Sequence, residues 1–517
     1  MTKSVKWIGL FCSLTLSIPT FAQYASDAFR YSEINQTGTA RFQGLGGNHT
    51  ALGGDASSIS GNPAGLGFYT RSEFSISPSL ANYNTKSEYI GNVIKDGKTK
   101  FFPFSNASAV FTNKPGYQRR WKSTSIGISY SRQQSFQNRF NYAGLNNRSA
   151  YTDKVLDDVN QSPVPSTTDL DKDYDPNTNL AYSQAAAYYQ LFLINPNPLS
   201  SGPAYVRYDA SSPTQQAGAF DSRGAQTQWN FAYAGNYNDK LYIGGTVGYN
   251  IIKYDYTQSM SETYTSGTHF RGIDQNEDLT VSGNGINATF GIIYKVTPIV
   301  QFGGSLTSPT FTKIRESFNQ STYADYIVGS IRDDKGVDIG PNTLEIPQAP
   351  NDFEYSMTSP LRGSLGATVF INQKGFITGS IEYVGYGGMR VRTKFYSADG
   401  NRSFKESYKQ EIQDSYKAGI NARLGGEYRS GIFRGRLGFA YLSDPYKIQS
   451  DGINRAKLLY SAGLGVRNSR FFADISGTYN AFKSVYTPYV LSNSQDYASA
   501  KINNHTTNLV LTVGTFF

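Results

Sequence analysis

The chain has 517 residues, a formal net charge of +9 and an aromatic content of 14%, with 39 tyrosines and 32 phenylalanines. Its mean hydropathy is -0.44. Beyond residue 22 it contains no run of the roughly 18 apolar residues that a membrane-spanning helix requires, which excludes a helical membrane protein. The one cysteine, Cys12, lies before that point, so residues 23–517 cannot form a disulfide, a thiolate metal site or a cysteine nucleophile.

Residues 1–22 have the order of a secretory signal peptide. Lys3 and Lys6 precede an apolar run over residues 7–18, and Thr20-Phe21-Ala22 forms a small-x-small cleavage site. We predict cleavage after Ala22. Export argues against nucleic acid as a partner despite the positive charge, and leaves attraction to anionic lipid or acidic ligands as the alternative.

Residues 23–69 are rich in glycine and show no strand pattern, whereas apolar and polar residues begin to alternate near residue 70. Strands are predicted near 71–84, 104–113, 122–139, 226–237, 240–256, 284–295, 299–315, 355–371, 375–392, 414–429, 432–443, 456–467, 470–483 and 504–517. About fourteen strands is an even number, as single-chain bacterial barrels require. We therefore predict an all-β fold, in which residues 70–517 form a transmembrane antiparallel barrel.

The last strand shows the pattern clearly. Leu509, Leu511, Val513 and Phe517 alternate with polar or small residues. In a barrel of this kind the apolar positions face lipid and the polar positions face the lumen. A strand with one apolar face and an aromatic final residue is typical of bacterial outer-membrane barrels.

The connections between predicted strands alternate in length. Short links rich in turn residues follow the even-numbered strands, as at Pro115-Gly116, Asn238-Asp239 and Ser430-Gly431. Long links are predicted after every odd-numbered strand, and the longest covers about 140–225. This asymmetry is typical of outer-membrane barrels and predicts periplasmic termini with long extracellular loops.

The glycine-rich segment from Gly44 to Leu66 resembles the amino-terminal hatch of the FadL/TodX family. The matching elements are Gly54 with Asp55, and Asn62-Pro63-Ala64. This family comprises outer-membrane channels for long-chain fatty acids and aromatic hydrocarbons. Within the family, the chain resembles the divergent branch of Bacteroidetes-type bacteria. The resemblance implies that residues 23–69 plug the barrel lumen.

The residue types of this segment suit a plug. Its glycines allow tight turns in a crowded lumen, and Pro63 fixes a kink. Asp55 and Asn62 can satisfy nearby backbone amides. The alternative is a linker to a periplasmic partner, but Leu52 and Ile59 are too apolar for a solvated linker.

Two loop segments carry further candidates. Residues 181–194 are predicted to form a helix whose apolar residues Tyr188, Leu191, Phe192 and Ile194 line an extracellular ligand groove, or alternatively pack as a lid on other loops. Asp274, Asn276 and Asp278 have the alternating oxygen spacing of a calcium loop, although a solvated acidic loop is the simpler interpretation. No other metal site and no cofactor is predicted.

Strand parity places several charged residues in the lumen, including Arg423, Glu427, Arg434 and Arg436. A ligand carboxylate would favour an arginine in such a pocket. The alternative is a balanced lattice of salt bridges that stiffens the barrel.

The third strand is the predicted site of a lateral gate, because the resemblance implies that this strand kinks inward and opens a window to the bilayer. The alternation of apolar outward residues with polar inward ones is lost along this strand at Arg132, Gln133, Gln134 and Ser135. A charged residue facing the bilayer midplane costs about 2–4 kcal/mol, which a kink would relieve. The alternative is that the strand has risen above the membrane at this point.

These patterns together predict passive uptake of hydrophobic small molecules, either long-chain fatty acids or aromatic compounds, across the bacterial outer membrane. The alternative is a structural or adhesion barrel whose long loops bind a surface partner of unknown identity. A barrel enzyme is the third possibility. It is not favoured, because the three histidines lie far apart in sequence and no catalytic motif is present.

Overall fold

The chain is described from a computed structural model. The structure describes residues 22–35, 38–114, 119–161, 163–199, 201–209, 213–332, 336–449 and 451–517. The predicted signal peptide, apart from Ala22, and the predicted turn at Pro115-Gly116 lie outside these residues.

The architecture is a closed antiparallel barrel of 14 strands. The strands are β1 (Glu73–Tyr89), β2 (Asn92–Phe101 and Phe104–Asn113), β3 (Trp121–Ser135 and Asn138–Asn146), β4 (Thr214–Tyr237), β5 (Leu241–Tyr264), β6 (Phe270–Lys295), β7 (Val300–Thr307 and Phe311–Tyr326), β8 (Asn351–Thr358 and Arg362–Ile371), β9 (Gly375–Val384 and Arg390–Thr393), β10 (Gly419–Ser430), β11 (Phe433–Leu442), β12 (Lys457–Arg467), β13 (Phe471–Tyr486) and β14 (Ala500–Phe516). β14 pairs with β1, from Phe516 opposite Glu73 to Lys501 opposite Glu88, which closes the barrel. The predicted fold class is confirmed.

The exterior of the barrel has an apolar band next to the short turns. On β5 the outward residues Val247 and Tyr249 are exposed, and on β6 so are Ile286 and Phe290. Farther along β5 the outward positions become polar, starting with Lys253. The exterior is therefore apolar over the height that a membrane would cover, and polar beyond it.

Among the residues that the structure describes, no helix combines the length and the hydropathy that crossing a membrane requires.

Tight turns occur where they were predicted. Asn238 and Asp239 both have positive φ, at 54° and 56°, as does Gly431. Two central residues with positive φ match the right-handed twist of the flanking strands. The even-numbered strands therefore end in short connections throughout the described turns.

The prediction of a long loop after every odd-numbered strand was wrong at two places. β1 and β2 are joined by Ile90 and Gly91 alone, both with positive φ. The predicted loop over 257–283 is instead mostly strand, because β5 and β6 are 24 and 26 residues long and leave only 265–269 between them. These strands extend well past the 9–11 residues that cross a bilayer.

Helices occur in the amino-terminal segment and in the loops on the side away from the short turns. They are α1 (Ala22–Arg30), α2 (Ala40–Gly44), α3 (Tyr151–Val159), α4 (Thr167–Lys172), α5 (Gln184–Gln190), α6 (Ala398–Ser415), and the 3-10 helices Ala56–Ile59, Pro63–Phe68 and Tyr386–Gly388. Short strands lie at Tyr174–Asp175, Leu180–Ala181, Asn195–Pro196, Tyr205–Val206 and Thr343–Pro347.

The amino-terminal segment fills the lumen as a hatch. The backbone N–H of Ala40 donates to Thr512 on β14, and Gln301 on β7 donates to the carbonyl of Ala51. These bonds join the hatch to opposite sides of the wall, so it is a plug held by the barrel.

Candidate functional site at the hatch and the barrel wall

Asp55 and Asn62 organise the hatch backbone. Asp55 accepts a 2.9 Å hydrogen bond from the N–H of Ser57 and another from the Thr39 hydroxyl, and so caps the first 3-10 helix. Asn62 caps the second, through the N–H of Ala64 at 3.1 Å, with Pro63 at the first helical position.

The amide of Asn62 also joins the hatch to the wall. Its Nδ2 donates to the carbonyls of Thr50 at 2.6 Å and of Gly304 on β7 at 3.2 Å. On the neighbouring strand β6, a Cβ at Gly291 would lie 1.9 Å from the Asn62 oxygen. Glycine is required there, because the hatch approaches the wall too closely for any side chain. Gly54 has a φ of +69°, which also favours glycine.

A buried ionic network holds the other side of the hatch. Arg41 of α2 lies 3.2 Å from Glu427 on β10, and Arg436 on β11 lies 2.7 Å from the same carboxylate. Arg436 also contacts Asp474 on β13 at 2.6 Å. A second guanidinium group of the wall, that of Arg429, lies 2.8 Å from Glu427. Charges removed from water in this way require partners, and here the partners come from four separate elements.

The four lumenal residues predicted from parity have different positions. Glu427 and Arg436 belong to the buried network, and Arg423 pairs with Glu382 at 3.0 Å. Arg434 lies next to the turn, where its guanidinium donates to the carbonyls of Gly431 and Phe433. These contacts correspond to the salt-bridge lattice that was the alternative to a ligand contact.

Arg41 was not singled out from the sequence. Between Gly38 and Tyr69 the charged residues are Arg41 and Asp55. An arginine in a stretch with so few charged residues signals a partner on the wall, but its partner Glu427 is 386 positions away in sequence.

The predicted ligand groove is closed. Tyr188, Leu191 and Ile194 each have 0% of their surface exposed, and Phe192 is partly buried against the same cluster. The cluster joins α3 and α5 to the upper ends of β5, β6 and β7. The helix is also shorter than predicted, and these side chains form the core of a lid.

The acidic triplet lies on a strand. Asp274, Asn276 and Asp278 are outward residues of β6, beyond the apolar band. On an extended strand Asp274 and Asp278 are separated by about 13 Å, too far to share one calcium ion. The segment is therefore a strand and not the loop that both the weak calcium candidate and the favoured solvated loop assumed. Within the described residues, no group of three His, Cys, Asp or Glu side chains could hold a metal ion.

The lid is fastened at Asp209. Its carboxylate accepts hydrogen bonds from the N–H of Thr268 and of Phe270, both at 2.9 Å, and lies 2.9 Å from Nδ1 of His269. Burial alone would raise the pKa of Asp209, but these hydrogen bonds outweigh burial and hold the pKa at about 2. His269, in the short connection between β5 and β6, therefore contacts the lid through this carboxylate.

The wall is interrupted at the predicted gate. The ladder between β2 and β3 ends with Asn106 opposite Ser131. On the β4 side, Arg132 and Gln134 are paired while Gln133 bulges out. Residues 132–135 therefore pair irregularly with β4 and do not pair with β2.

Beyond the interruption, β3 turns inward. Thr85 and Ser87 project from β1 toward the lumen, and their hydroxyls donate to the carbonyls of Arg139 and Asn141. Side chains on the inner face of β1 can reach this backbone only if the second segment of β3 lies inside the wall. A cavity of about 40 Å³ remains between hatch and wall, lined by Asn35, Gln43, Ala81, Tyr83, Phe101, Pro103, Arg132, Ser135, Leu459, Thr478, Asn480, Thr506 and Asn508.

The hatch contacts the interrupted strand directly. The N–H of Asn35 donates a 2.9 Å hydrogen bond to the carbonyl of the bulged Gln133. Next to it, Gln134 donates to Glu33 at 3.4 Å, and Glu33 pairs with Lys457 on β12 at 2.6 Å. The position of residues 33–35 and the geometry of the gate are therefore linked.

A closed antiparallel barrel with an apolar exterior band, plugged by its own amino-terminal segment, is the fold of a plugged outer-membrane barrel. The chain is similar in structure to a FadL homologue of Pseudomonas aeruginosa, with 12% identity and a TM-score of 0.53 over 93% of this chain and 99% of that one. It is also similar to the toluene transporter TodX of P. putida, with 10% identity and a TM-score of 0.52 over 94% of this chain and 99% of that one.

The chain therefore has the fold of the FadL/TodX-type channels. The sequence matches no protein-family profile and no curated protein. The Bacteroidetes-type branch inferred from the hatch residues stays a prediction.

Proposed function

We propose that this chain is an outer-membrane channel for the passive uptake of hydrophobic small molecules, and that it is exported by the signal peptide over 1–22. The two structural relatives support this class of function, since one is a FadL homologue and the other a toluene transporter. The apolar exterior band supports the location.

One observation carries the proposal: the wall is interrupted beside a lumen that the hatch fills. A porin for polar solutes needs a water-filled channel along its axis, and here the hatch occupies that axis. A hydrophobic solute has another exit, because it can leave sideways into the bilayer where β2 and β3 separate. The interruption at residues 132–135 supports this route.

The proposed gate has to open for a ligand to pass. The cavity behind it has a volume of about 40 Å³, far below the roughly 300–1,000 Å³ of typical small-molecule pockets. A hydrocarbon would need this space to widen. The hydrogen bond from Asn35 to Gln133 is the contact that widening would break.

Helix α1 of the hatch packs inside the lumen against an apolar, aromatic cluster. Tyr24 of α1 lies with its ring centroid 5.2 Å from that of Phe353, 5.6 Å from Phe404 and 5.3 Å from Tyr408. Aromatic and aliphatic ligands are stabilised by such surroundings. We propose that an incoming ligand displaces α1 from this cluster and thereby moves the hatch.

The test is uptake by cells that lack the gene and carry either the natural chain or a variant with the gate filled. Radiolabelled oleate and toluene distinguish the two ligand classes. Transport predicts that deletion slows uptake of at least one of them, and that lipid mass spectrometry finds a hydrophobic ligand with the purified protein. Unchanged uptake of both probes, with no bound ligand, favours the structural or adhesion alternative.

Enzymatic activity is the remaining alternative. The proposal assigns no catalytic residue, and both relatives reported above are described as a channel-family homologue and a transporter. Recovery of the probe molecules chemically unchanged after passage supports transport over catalysis.

A further inference from the structure

The outer surface of neighbouring strands β13, β14, β1 and β2 carries a group of lysines beyond the apolar band. This basic face consists of Lys86, Lys98, Lys100, Lys483 and Lys501. The ladders place Lys483 and Lys86 on either side of Asn503, with Lys98 opposite Asn84 and Lys100 opposite Asn82.

All five lysines project outward. Residues directly opposite each other in an antiparallel pair face the same side, and their Cβ atoms are about 4.5–5.5 Å apart. The same parity puts Leu80 and Leu509, which are opposite each other and exposed, on that outer side. The basic face therefore continues the lipid-facing surface of the barrel.

The basic face begins where the apolar band ends. Phe102 has 85% of its surface exposed, and Lys100 is two positions farther along β2. Two residues of an extended strand span about 7 Å, which a flexible lysine side chain easily bridges. The amino groups can therefore reach the depth at which lipid headgroups lie.

Among the side chains that the structure describes, the five lysines of the basic face have no ion-pair partner. Within the described residues, no carboxylate lies within the 4.0 Å ion-pair distance of any of the five amino groups. Glu88 is opposite Lys501, and the segment over 82–100 has four lysines against one glutamate and one aspartate.

Several cations elsewhere on the exterior are paired with carboxylates. Arg223 lies 3.7 Å from Asp255, while Lys313 and Arg315 lie 2.7 and 2.8 Å from Glu354. Positive charge above the band therefore occurs at several places around the barrel, but in the described part of β13, β14, β1 and β2 the five lysines lack such a carboxylate partner.

We propose that the basic face binds the phosphate groups of glycolipids in the outer leaflet, with their acyl chains lying on the apolar residues below it. The basic face lies directly next to the apolar band, which favours a lipid over a soluble polyanion. A soluble polyanion has no acyl chains that could contact the apolar residues. The inference rests on the proposed outer-membrane location and is independent of what the channel transports.

The test is native mass spectrometry of the full-length protein in nanodiscs of phosphatidylcholine with a small fraction of bisphosphorylated lipid A. The natural protein is expected to enrich this lipid and to release it as the salt concentration rises. It is expected not to enrich the same lipid without phosphates. Each lysine near an anionic surface contributes about fivefold to binding. Replacing all five with glutamine is therefore expected to weaken enrichment by at least about a hundredfold.

The matched control replaces paired cations of the other sector with glutamine, at Arg223, Lys313 and Arg315, and is expected to retain enrichment. Equal enrichment by the five-lysine variant and the natural protein would overturn the proposal, as would equal enrichment of the dephosphorylated lipid. Displacement by soluble polyphosphate alone, with no requirement for acyl chains, would also overturn it. Oleate and toluene uptake by the same variants reports separately on transport.

Discussion

The N–H of Asn35 in the hatch donates a 2.9 Å hydrogen bond to the carbonyl of Gln133, the residue that bulges out of β3 at the interrupted wall. Gln133 is itself buried and donates from its amide to Ser131 at 2.7 Å. The backbone of the plug and that of the wall are thus joined where the ladder to β2 stops. If the gate operates, this bond must break during passage.

Locking that contact is expected to stop transport. Residues 23–517 have no cysteine, so cysteines at Asn35 and Gln133 form a unique pair. Backbones joined by one hydrogen bond place their Cα atoms near the 4.4–6.8 Å that a disulfide spans. Oxidation should abolish uptake of the hydrophobic probe, and reduction should restore it.

Each single cysteine variant serves as the control and should respond to neither oxidant nor reductant. The crosslink is checked by the protease fragments that remain joined. A fully crosslinked protein that still transports at the natural rate would show that the hatch and β3 need not separate.

Filling the interruption is expected to slow passage without unfolding the barrel. Ser135 lines the cavity between hatch and wall, and a tryptophan there would occupy the path. Uptake by Ser135→Trp should fall about tenfold or more, since overpacking a tight site costs roughly 1–3 kcal/mol. The comparison variant is Ile128→Trp, on the exposed outer side of the same strand. Equal uptake by both variants argues against lateral release.

Removing Arg41 is expected to loosen the hatch. Breaking a buried ion pair by deleting one partner costs about 3–5 kcal/mol. The cost here should be near the lower limit, because Arg436 and Arg429 still contact Glu427. Urea unfolding and proteolysis of the hatch measure the effect of Arg41→Ala.

The control variant is Arg434→Ala, which removes hydrogen bonds to turn carbonyls and should change stability by about 0.5 kcal/mol or less. A similar loss of stability in both variants would show that Arg41 does not anchor the hatch.

The barrel could be predicted because the bilayer imposes a simple rule on strand residues. Outward positions such as Val247 and Tyr249 must be apolar, so period-2 alternation is strong within the apolar band. Beyond the band, the outward positions of the same strand are polar and the inward positions are apolar. Ile252 and Tyr254 face an apolar interior, while Lys253 and Asp255 face water. The phase of the pattern shifts at the band edge, and the part of β5 and β6 farther from the band, residues 257–283, was interpreted as a loop.

Local contacts of the site could be predicted and distant ones could not. Asp55 and Asn62 cap helices that begin one residue later, so their roles follow from the neighbouring sequence. The partner of Arg41 depends on which wall residue the folded hatch faces. The apolar lid helix was ambiguous for a similar reason: Tyr188 and Leu191 look the same in sequence whether they line a groove or pack against the strand ends.

Acid is expected to release the lid at Asp209. The pKa of this carboxyl is held at about 2, below the ordinary value of 3.8, because the hydrogen bonds outweigh burial. A depressed carboxyl pKa stabilises the folded state at pH values above the unfolded pKa, and that stabilisation is lost as the pH falls from about 3.8 toward 2. Hydrogen exchange and pepsin cleavage of the loop over 147–213 should therefore increase within this pH window.

Asp209→Asn is the matched variant, since it keeps the size of the side chain and removes the ionisable group. It should show a loosened loop at neutral pH and a flatter response between pH 4 and 2. The N–H groups of Thr268 and Phe270, which donate to the carboxylate at 2.9 Å, should lose their exchange protection first. If the variant loosens over the same acid range as the natural protein, a group other than Asp209 controls the lid.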